Sequence, residues 1–414
     1  MKKLLILTIL LTFVLSFSSV IMAEDDVVEL VLYGRVDDTS TITNMIERFN
    51  EEHPNINVVQ ESTPSGDARD SYVTRFAGRD DSFDIAQIDI VWTPEFASAG
   101  WIAPLNEYFT DSELDAFLPG PITGTSYDGQ QYAIPRFTDA GILYYRKDLL
   151  EEEGLEPPTT FDELYTQAGL LQSNYDVSQG MTLQAQQYEG LICNILEYMW
   201  GNGGNVLDED NNVVLHSEEN IEALDFFAKL VKSNVTPSGV SSYVEEDARV
   251  PFNQADSAFQ RNWFYVWGHV QAEDSPVKGK VGMAPMPVGP NGEESAATLG
   301  GWNMAINNFS NHKEEAATFI KYITNEEAQI ENALNTGRLP TLKSVYNSEK
   351  VLEEHPHFEE LYDVFINAKP RPVSPMYSQI SEVMQREIHS VITGSKNSNE
   401  ALRDAHNEIE NMIN

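Results

Sequence analysis

Two short segments combine aromatic rings with side chains that hydrogen-bond hydroxyl groups. Residues 261–267 (RNWFYVW) hold four aromatic rings in five consecutive positions, directly after an arginine and an asparagine, and residues 300–303 (GGWN) place another indole beside two glycines. A sugar ring packs its C–H face on an aromatic ring, while its hydroxyls pair with Asp, Glu, Arg and Asn side chains. Rings at alternate positions are also typical of a buried strand, but core packing does not account for the charged neighbours. The pattern favours a carbohydrate site.

Carboxylates occupy the ends of two predicted strands. Residues 27–33 and 84–90 are apolar runs that predict buried strands, and Asp89 lies at the end of the second run. Asp37 and Asp38 follow the first run. Ligands of α/β sheets bind at the carboxyl ends of strands, so we expect these acids to meet a ligand.

Strand-like and helix-like segments alternate along the chain, which predicts the α/β class. A strand is predicted at 56–59, and helices are predicted around 42–49 and 72–76. Thr160 with Glu163 forms a capping-box pattern before another apolar helical face. Further helices are predicted after Ser217 and in two segments near the C-terminus that carry apolar residues at helical spacing: Ile380, Met384, Ile388 and Val391, then Leu402, Ala405, Ile409 and Met412.

The composition excludes two classes of partner. The 414 residues include 65 Asp and Glu against 26 Lys and Arg, which gives a formal net charge of -39. Such a charge repels nucleic acid and anionic membrane surfaces. The acids are spread along the chain rather than clustered in blocks, which is typical of a surface adapted to high ionic strength, where salt screens the repulsion.

The first residues predict an export signal at 1–23. Lys2 and Lys3 precede an uncharged run of 20 residues that ends at Ala23 before an acidic segment. The run is also long enough to remain as a membrane anchor. Cys193 is the only cysteine, so no lipidation site follows the signal, and we expect an exported, soluble protein in a periplasm. The thiol of Cys193 is predicted to be buried and inert.

Two segments superficially suggest metal sites. Asp208, Asp210 and Asn212 have the spacing of a calcium loop, but Val213 stands where that loop requires glycine, so a polar turn is favoured. His355 and His357 lie among glutamates, which favours a solvated surface turn. We therefore predict no metal and no other cofactor. H-E-x-x-H, G-x-S-x-G and Walker A patterns do not occur in the sequence, and no catalytic residue is assigned.

Five segments resemble the extracellular sugar-binding proteins of ABC importers, the family 1 solute-binding proteins, and are most like the trehalose/maltose-binding branch. They are residues 137–150 (FTDAGILYYRKDLL), 261–267, 274–282, 299–303 and 370–375, in the order that the family has. The resemblance covers nearly the whole mature chain. It implies a type II, maltose-binding-like periplasmic-binding-protein fold, in which two α/β lobes are joined by three crossings. The predicted lobes are 24–137 with 301–340 (N-terminal) and 138–300 with 341–414 (C-terminal).

The resemblance also implies a set of sugar contacts. In this sequence they fall on Asp38 (with Asp37 in reserve), Arg69, Asp89, Phe137, Asp139, Trp263, Tyr265, Trp302 and Arg371. Trp263 and Tyr265 are expected on one aromatic strand. Two positions depart from the family: Phe137 stands where a tyrosine is usual, and Asp38 stands where a glutamate is usual. Both changes alter which sugar hydroxyls the pocket can bind.

The family's function implies a binding protein that is not an enzyme. It captures an α-glucosidic disaccharide of the trehalose or maltose type between its lobes, as a monomer, and delivers the sugar to the permease subunits of an ABC transporter. One alternative is a secreted glycosidase in which Asp89 and Asp139 flank the scissile bond. The other is a binding protein for a different glucoside, such as sucrose or glucosylglycerol.

Overall fold

The computed structural model describes residues 27–35, 40–62 and 68–413. The predicted signal at 1–23 and the acids Asp37 and Asp38 lie outside the described residues. Among the helices in the described ranges, none is both long enough and apolar enough to cross a bilayer.

The strands are distributed between residues 28 and 306, and helical segments separate most of them. In order they are β1 (Val28–Gly34), β2 (Ile56–Ser62), β3 (Ile85–Asp89), β4 (Ser126–Tyr127), β5 (Gln130–Gln131), β6 (Ala133–Arg146), β7 (Gln179–Thr182), β8 (Ser257–Trp263), β9 (Val281–Ala284) and β10 (Leu299–Ile306).

The helices fill the intervals and the C-terminal quarter. In order they are α1 (Thr41–Glu52), α2 (Ala68–Ala77), α3 (Thr93–Ser98), α4 (Asp111–Leu114), α5 (Pro119–Gly124), α6 (Lys147–Glu153), α7 (Phe161–Asn174), α8 (Glu189–Gly201), α9 (Glu218–Lys232), α10 (Glu245–Asn253), α11 (Val266–Val270), α12 (Lys313–Thr324), α13 (Glu326–Thr336), α14 (Glu349–Glu354), α15 (His357–Glu360), α16 (Tyr362–Ile366), α17 (Tyr377–Ile392) and α18 (Ser398–Ile413). Short 3-10 helices lie at Ile90–Trp92, Val240–Ser242 and Lys343–Asn347.

Local sequence signals account for most of these boundaries. α1 buries the apolar positions that recur at helical spacing and ends before Pro54. α7 begins at a capping box in which Thr160 accepts from the backbone N–H of Glu163, whose carboxylate accepts from the backbone N–H of Thr160. Ser217 caps α9 in a similar way through its hydroxyl. These predicted elements are confirmed.

One mixed sheet connects the two halves of the chain. Its order is β2-β1-β3-β10-β6-β8-β7, and β9 also pairs with β6. β1 runs parallel to β2 and β3, whereas β10 runs antiparallel to β3 and β6. β6 therefore belongs to both halves, because its first part pairs with β10 and its second part pairs with β8 and β9.

The three predicted crossings lie side by side. Thr138 on β6 is opposite Gly301 on β10, and its backbone N–H donates to the carbonyl of Leu339 at 3.0 Å. The crossings near 136–139, 297–301 and 338–342 therefore form one narrow strip of backbone. A narrow strip is the geometry that lets two lobes rotate with few broken contacts.

Apolar side chains form several clusters, and one of them includes side chains from both halves of the chain, such as Phe49 and Phe252. One cluster contains the buried faces of α7, α8, α9, α17 and α18. Another joins α1 and β1 to α12, and it includes Val345, Phe358 and Phe365 from the segment after the third crossing. The lobe boundaries given above remain a prediction.

Two local predictions are wrong, and tertiary packing is the reason in both cases. The aromatic segment does not continue as a strand beyond Trp263, because Tyr265 already lies at the start of α11. His357 is not on a solvated turn: it is 5% exposed and its ring lies 4.8 Å from that of Trp267. Burial lowers the pKa of His357 to about 3. The turn at Asp208 is confirmed, because its carboxylate accepts from the backbone N–H of Asn212.

Candidate ligand-binding site

A cavity of about 770 Å³ lies along the strip of crossings. Its lining includes seven of the nine residues that the sequence assigned to a sugar site: Asp89, Phe137, Asp139, Trp263, Tyr265, Trp302 and Arg371. These residues are separated by as many as 282 positions in sequence, as the pair Asp89 and Arg371 illustrates.

Strand register brings most of these side chains together. Trp302 on β10 is opposite Asp89 on β3 and also opposite Phe137 on β6. Gly300 is opposite Asp139, two positions along the same strand. Neighbouring strands are about 4.8 Å apart, so these pairings place an indole, a phenyl ring and two carboxylates within reach of one small ligand.

The two glycines before Trp302 make room for this arrangement. A Cβ at Gly301 would lie 2.6 Å from the carbonyl oxygen of Phe137, and its φ of +135° is a conformation that L residues rarely adopt. A Cβ at Gly300 would lie 3.1 Å from the ring of Trp263. The glycines therefore allow close packing of β10 on β6 and on the indole.

A bulge changes which residues of β6 face the cavity. The register shifts between Trp302 and Asn303, so that Arg136 is an extra residue between the pairs made by Pro135 and Phe137. Arg136 and Phe137 are consecutive, yet both line the cavity. The guanidinium carbons of Arg136 and Arg338 lie 5.6 and 4.6 Å from the ring centroid of Phe137.

Asp139 is held firmly by the backbone. Its Oδ1 accepts from the N–H of Ala140 at 2.9 Å and from the N–H of Phe264 at 2.8 Å. Burial raises the pKa of Asp139 to about 6, although these two hydrogen bonds and the charges of Arg261 and Arg338 oppose the shift. The carboxyl group thus titrates close to neutral pH and has a fixed orientation.

Asp89 belongs to a charged network with Arg371 and Glu189, which also line the cavity. Arg371 is buried; its Nη1 donates to Glu189 at 2.7 Å and its Nη2 to Asp89 at 3.4 Å. Glu189 also accepts from the hydroxyls of Tyr377 and Ser381. Burial raises the pKa of Asp89, and the charge of Arg371 opposes that shift. The network connects β3 to the N-termini of α8 and α17.

Each indole of the site contacts charged groups. The guanidinium carbon of Arg35 lies 5.0 Å from the ring centroid of Trp302, and that of Arg261 lies 4.5 Å from Trp263. The Trp263 Nε1–H donates to Glu245 at 3.4 Å. Charge and hydrogen bonding therefore fix both rings while they line the cavity.

Two predicted residues remain. Asp38 lies outside the described residues, and Arg69, which is described, is not in the cavity lining. Arg69 on α2 pairs with Glu95 on α3, with Nε to Oε2 at 3.2 Å, and Glu95 also accepts from the hydroxyl of Ser378 on α17 at 2.9 Å. Arg69 thus joins a bridge between α2, α3 and α17.

Several lining residues have no counterpart among the sequence predictions: Arg35, Gln87, Arg136, Tyr188, Glu189, Glu245 and Arg338. Two of these residues could have been predicted from their positions in the sequence. Arg35 comes just after β1, and Arg338 lies at the third crossing. Arg136 was hidden by the bulge. Tyr188, Glu189 and Glu245 precede or begin helices, and nothing in their local sequence shows that those helices point at the cavity.

The tyrosines of the lining are kept in their neutral form. Burial, with the carboxylate of Glu245 nearby, raises the pKa of the Tyr188 hydroxyl. The Tyr265 hydroxyl donates to Glu246 at 2.7 Å, and burial raises its pKa as well. Cys193 is also at the lining, and burial raises the pKa of its thiol to about 12, as expected for an inert cysteine.

The lining can bind a neutral ligand rich in hydroxyl groups. Carboxylates accept hydrogen bonds from hydroxyls, guanidinium groups donate to the same hydroxyl oxygens, and aromatic rings cover apolar faces. In the described ranges, no group of three or more His, Cys, Asp or Glu side chains has the arrangement of a metal site.

Comparisons with known proteins agree with this chemistry. Residues 34–330 match the family described as bacterial extracellular solute-binding protein. A probable ABC transporter-binding protein of Deinococcus radiodurans is 34% identical over 347 residues, which cover 82% of this chain and 82% of that protein.

Solved structures extend the similarity to nearly the whole chain. The maltose-bound MalE3 of T. maritima is 40% identical with a TM-score of 0.86, covering 93% of this chain and 100% of that one. An ABC transporter solute-binding protein of Thermotoga lettingae bound to α-D-tagatose is 25% identical with a TM-score of 0.83, covering 94% and 100%. The two-lobed, maltose-binding-like fold predicted from the sequence is confirmed.

Proposed function

The chain belongs to the bacterial extracellular solute-binding proteins and is the substrate-binding component of an ABC sugar transporter, and from this premise we propose that its ligand is an α-glucosidic disaccharide of the trehalose or maltose type. The observation that carries the proposal is the cavity in which Trp263 and Trp302 meet Asp89, Asp139 and Arg371. Its volume of about 770 Å³ falls in the range of small-molecule sites. The maltose-bound relative at 40% identity favours a disaccharide of this type.

Capture requires closure of the lobes around the sugar. Asp89 is in the proposed N-terminal lobe (24–137 and 301–340), whereas Arg371 and Glu189 are in the proposed C-terminal lobe (138–300 and 341–414). A ligand that contacts both lobes binds the closed form better than the open form, and this differential affinity shifts the population toward closure. The closed form is then presented to the permease subunits by an exported, soluble and monomeric protein.

A glycosidase is the competing function, because a carboxyl group with a pKa near 6 is suited to act as a general acid. Two features favour binding. Oδ1 of Asp139 is occupied by two backbone N–H groups, and Asp89 is engaged by Arg371. Hydrolysis needs a second carboxylate that is free to act on water or on the sugar.

One experiment tests both functions. The protein is titrated by calorimetry with maltose and trehalose, and with sucrose, glucosylglycerol and mannitol as comparisons, and each sugar is then recovered and analysed. We expect one-site binding of maltose or trehalose, an increase in the melting temperature with sugar concentration, and recovery of the sugar intact. Binding confined to mannitol would refute the proposal of a disaccharide ligand. Release of glucose would establish that the protein is a glycosidase.

Closure is measured separately by small-angle scattering. Saturating maltose or trehalose should reduce the radius of gyration of the wild type, and Arg371→Ala should weaken the reduction at fixed sugar. An unchanged scattering curve for a wild type shown by calorimetry to be saturated would replace the closing lobes with a rigid pocket.

A further inference from the structure

A buried ion pair lies directly behind the cavity. Arg261 on β8 and Glu197 on α8 are both fully buried, with side chains 0% exposed. The Nε of Arg261 donates to Oε2 of Glu197 at 2.8 Å, and a second hydrogen bond joins Nη2 to Oε1. Neither residue is part of the cavity lining.

The stability of the fold does not account for this pair. Removing two charges from water costs several kcal/mol each, and an apolar pair of similar volume is often as stable or more stable. The charges are nevertheless well satisfied: Oε1 of Glu197 accepts from the backbone N–H of Thr298 at 3.1 Å, and Nη1 of Arg261 donates to Gln184 at 3.3 Å. A pair that is costly to bury and yet fully hydrogen-bonded indicates a role in positioning neighbouring side chains.

The pair touches the three chain segments that carry Trp263, Asp139 and Trp302. Arg261 is two positions before Trp263 on β8, and Thr298 immediately precedes β10. On β6, Gly141 is two positions after Asp139, and a Cβ at Gly141 would lie 1.8 Å from Oε1 of Glu197. The absence of a side chain at Gly141 thus allows the carboxylate to reach the strip of crossings.

Trp263 is the cavity residue most directly affected. The guanidinium carbon of Arg261 lies 4.5 Å from its ring centroid, close enough for a cation–π attraction that is strongest when the cation is desolvated. The indole also lies against Gly300, and its Nε1–H donates a hydrogen bond to Glu245. The two hydrogen bonds to Glu197 fix the orientation of the Arg261 guanidinium plane. The guanidinium in turn fixes the orientation of the Trp263 ring.

We propose that Arg261 and Glu197 are positioning residues for sugar binding: together they fix the Trp263 indole in the orientation that packs on a sugar ring and tie it to the segments that carry Asp139 and Trp302. The proposal rests on the proposed function, since it assigns a part of the same site. It predicts that the pair contributes to affinity without touching the ligand.

The test replaces the pair by an apolar one, Arg261→Met with Glu197→Met, which leaves the net charge unchanged. The matched control is Arg146→Met with Asp148→Met. That pair is also formed by a buried arginine of the same half, with Nε to Oδ1 at 2.8 Å, but it does not line or contact the cavity. Maltose and trehalose affinities are measured by calorimetry for both double variants.

We expect the first variant to bind the sugar about tenfold more weakly and the control to bind as the wild type does. A second readout needs no sugar: in protein labelled with 5-fluorotryptophan, the fluorine resonance of Trp263, assigned with Trp263→Phe, should shift or broaden in the first variant alone. Wild-type affinity together with an unchanged Trp263 resonance would overturn the proposal.

The test still decides if the double variant does not fold or if the wild type binds none of the sugars. If the double variant does not fold, Glu197→Gln takes its place, and it should weaken binding in the same direction by a smaller factor; unchanged affinity of that folded variant also overturns the proposal. If the wild type binds none of the sugars, the proposed function fails, while the fluorine resonance still decides whether the pair positions Trp263.

Discussion

The cavity lining and the chain as a whole differ in their balance of acidic and basic side chains. The whole chain has 65 acidic and 26 basic residues. Among the described residues, the cavity lining is balanced, with four arginines and four carboxylates: Arg35, Arg136, Arg338 and Arg371 against Asp89, Asp139, Glu189 and Glu245. Surface carboxylates are solvated and are screened by salt, so an excess is tolerated. In the cavity, charges are removed from water and need partners.

The difference is visible in two arginines of the C-terminal region. Arg371 is 4% exposed in its side chain and bridges Glu189 and Asp89. Arg386 pairs with Glu408, and both side chains are 48% exposed. The first pair shapes a site, whereas an exposed pair contributes little to stability.

The largest effect is expected from replacing Arg371, the buried arginine of this comparison. Arg371→Ala leaves the Glu189 and Asp89 carboxylates without their buried partner, so disaccharide affinity measured by calorimetry should fall by about 2–5 kcal/mol. Arg386→Ala should leave affinity within error of the wild type. Comparable losses in both variants would mean that burial does not distinguish the two regions.

Removal of an indole should have the next largest effect. Trp302→Ala should weaken sugar binding by about 1.5–3 kcal/mol, the burial value of a large apolar side chain. Tryptophan fluorescence should change on sugar addition in a saturable, one-site manner. That change should be lost in the double variant Trp263→Ala with Trp302→Ala, and an undiminished signal there would remove both rings from the site.

A pH dependence follows from Asp139. Burial raises its pKa to about 6, so the folded protein retains this proton to a higher pH than the unfolded chain, and the group's contribution to stability declines as pH rises through about 6. A sugar hydroxyl donates to the ionised carboxylate. Affinity should therefore rise between pH 5 and pH 7, by up to about tenfold per pH unit below the pKa.

Asp139→Asn is the variant that isolates this titration. It keeps the shape of the side chain but removes the charge, so its affinity should fall by about 1.5–3 kcal/mol at pH 7. The rise attributable to Asp139 should be absent from its pH profile. A variant profile identical in slope to that of the wild type would assign the titration to another group, with Asp89 the first candidate because its pKa is also raised.

The smallest expected effect is that of salt on affinity. Binding measured at low and at molar salt should differ by less than about threefold, because the paired charges of the cavity are poorly screened. The free energy of unfolding should instead increase in molar salt, since screening relieves the repulsion of a net charge of -39. Equal stability in dilute buffer and in molar salt would refute the proposed salt adaptation.

The elements of the fold were largely predictable because their signals are local. Apolar residues of α1 recur at helical spacing over eight positions, and the capping box of α7 spans four residues. The resemblance then supplied site residues one by one, and seven of nine line the cavity. The end of β8 at Trp263 was missed, because the alternation of rings continues past the point where the backbone turns.

By itself the sequence determined the class of fold and the positions of most strands and helices, and it predicted two indoles and two carboxylates that line the candidate cavity. Only the tertiary structure placed Arg136 at the cavity through a bulge, joined Glu189 to Arg371 across 182 residues, and buried Arg261 with Glu197 behind Trp263. Periodicity, caps and strand ends are encoded within a few neighbouring residues. Register shifts, helix directions and ion pairs between distant segments depend on how those elements pack, and no local pattern specifies them.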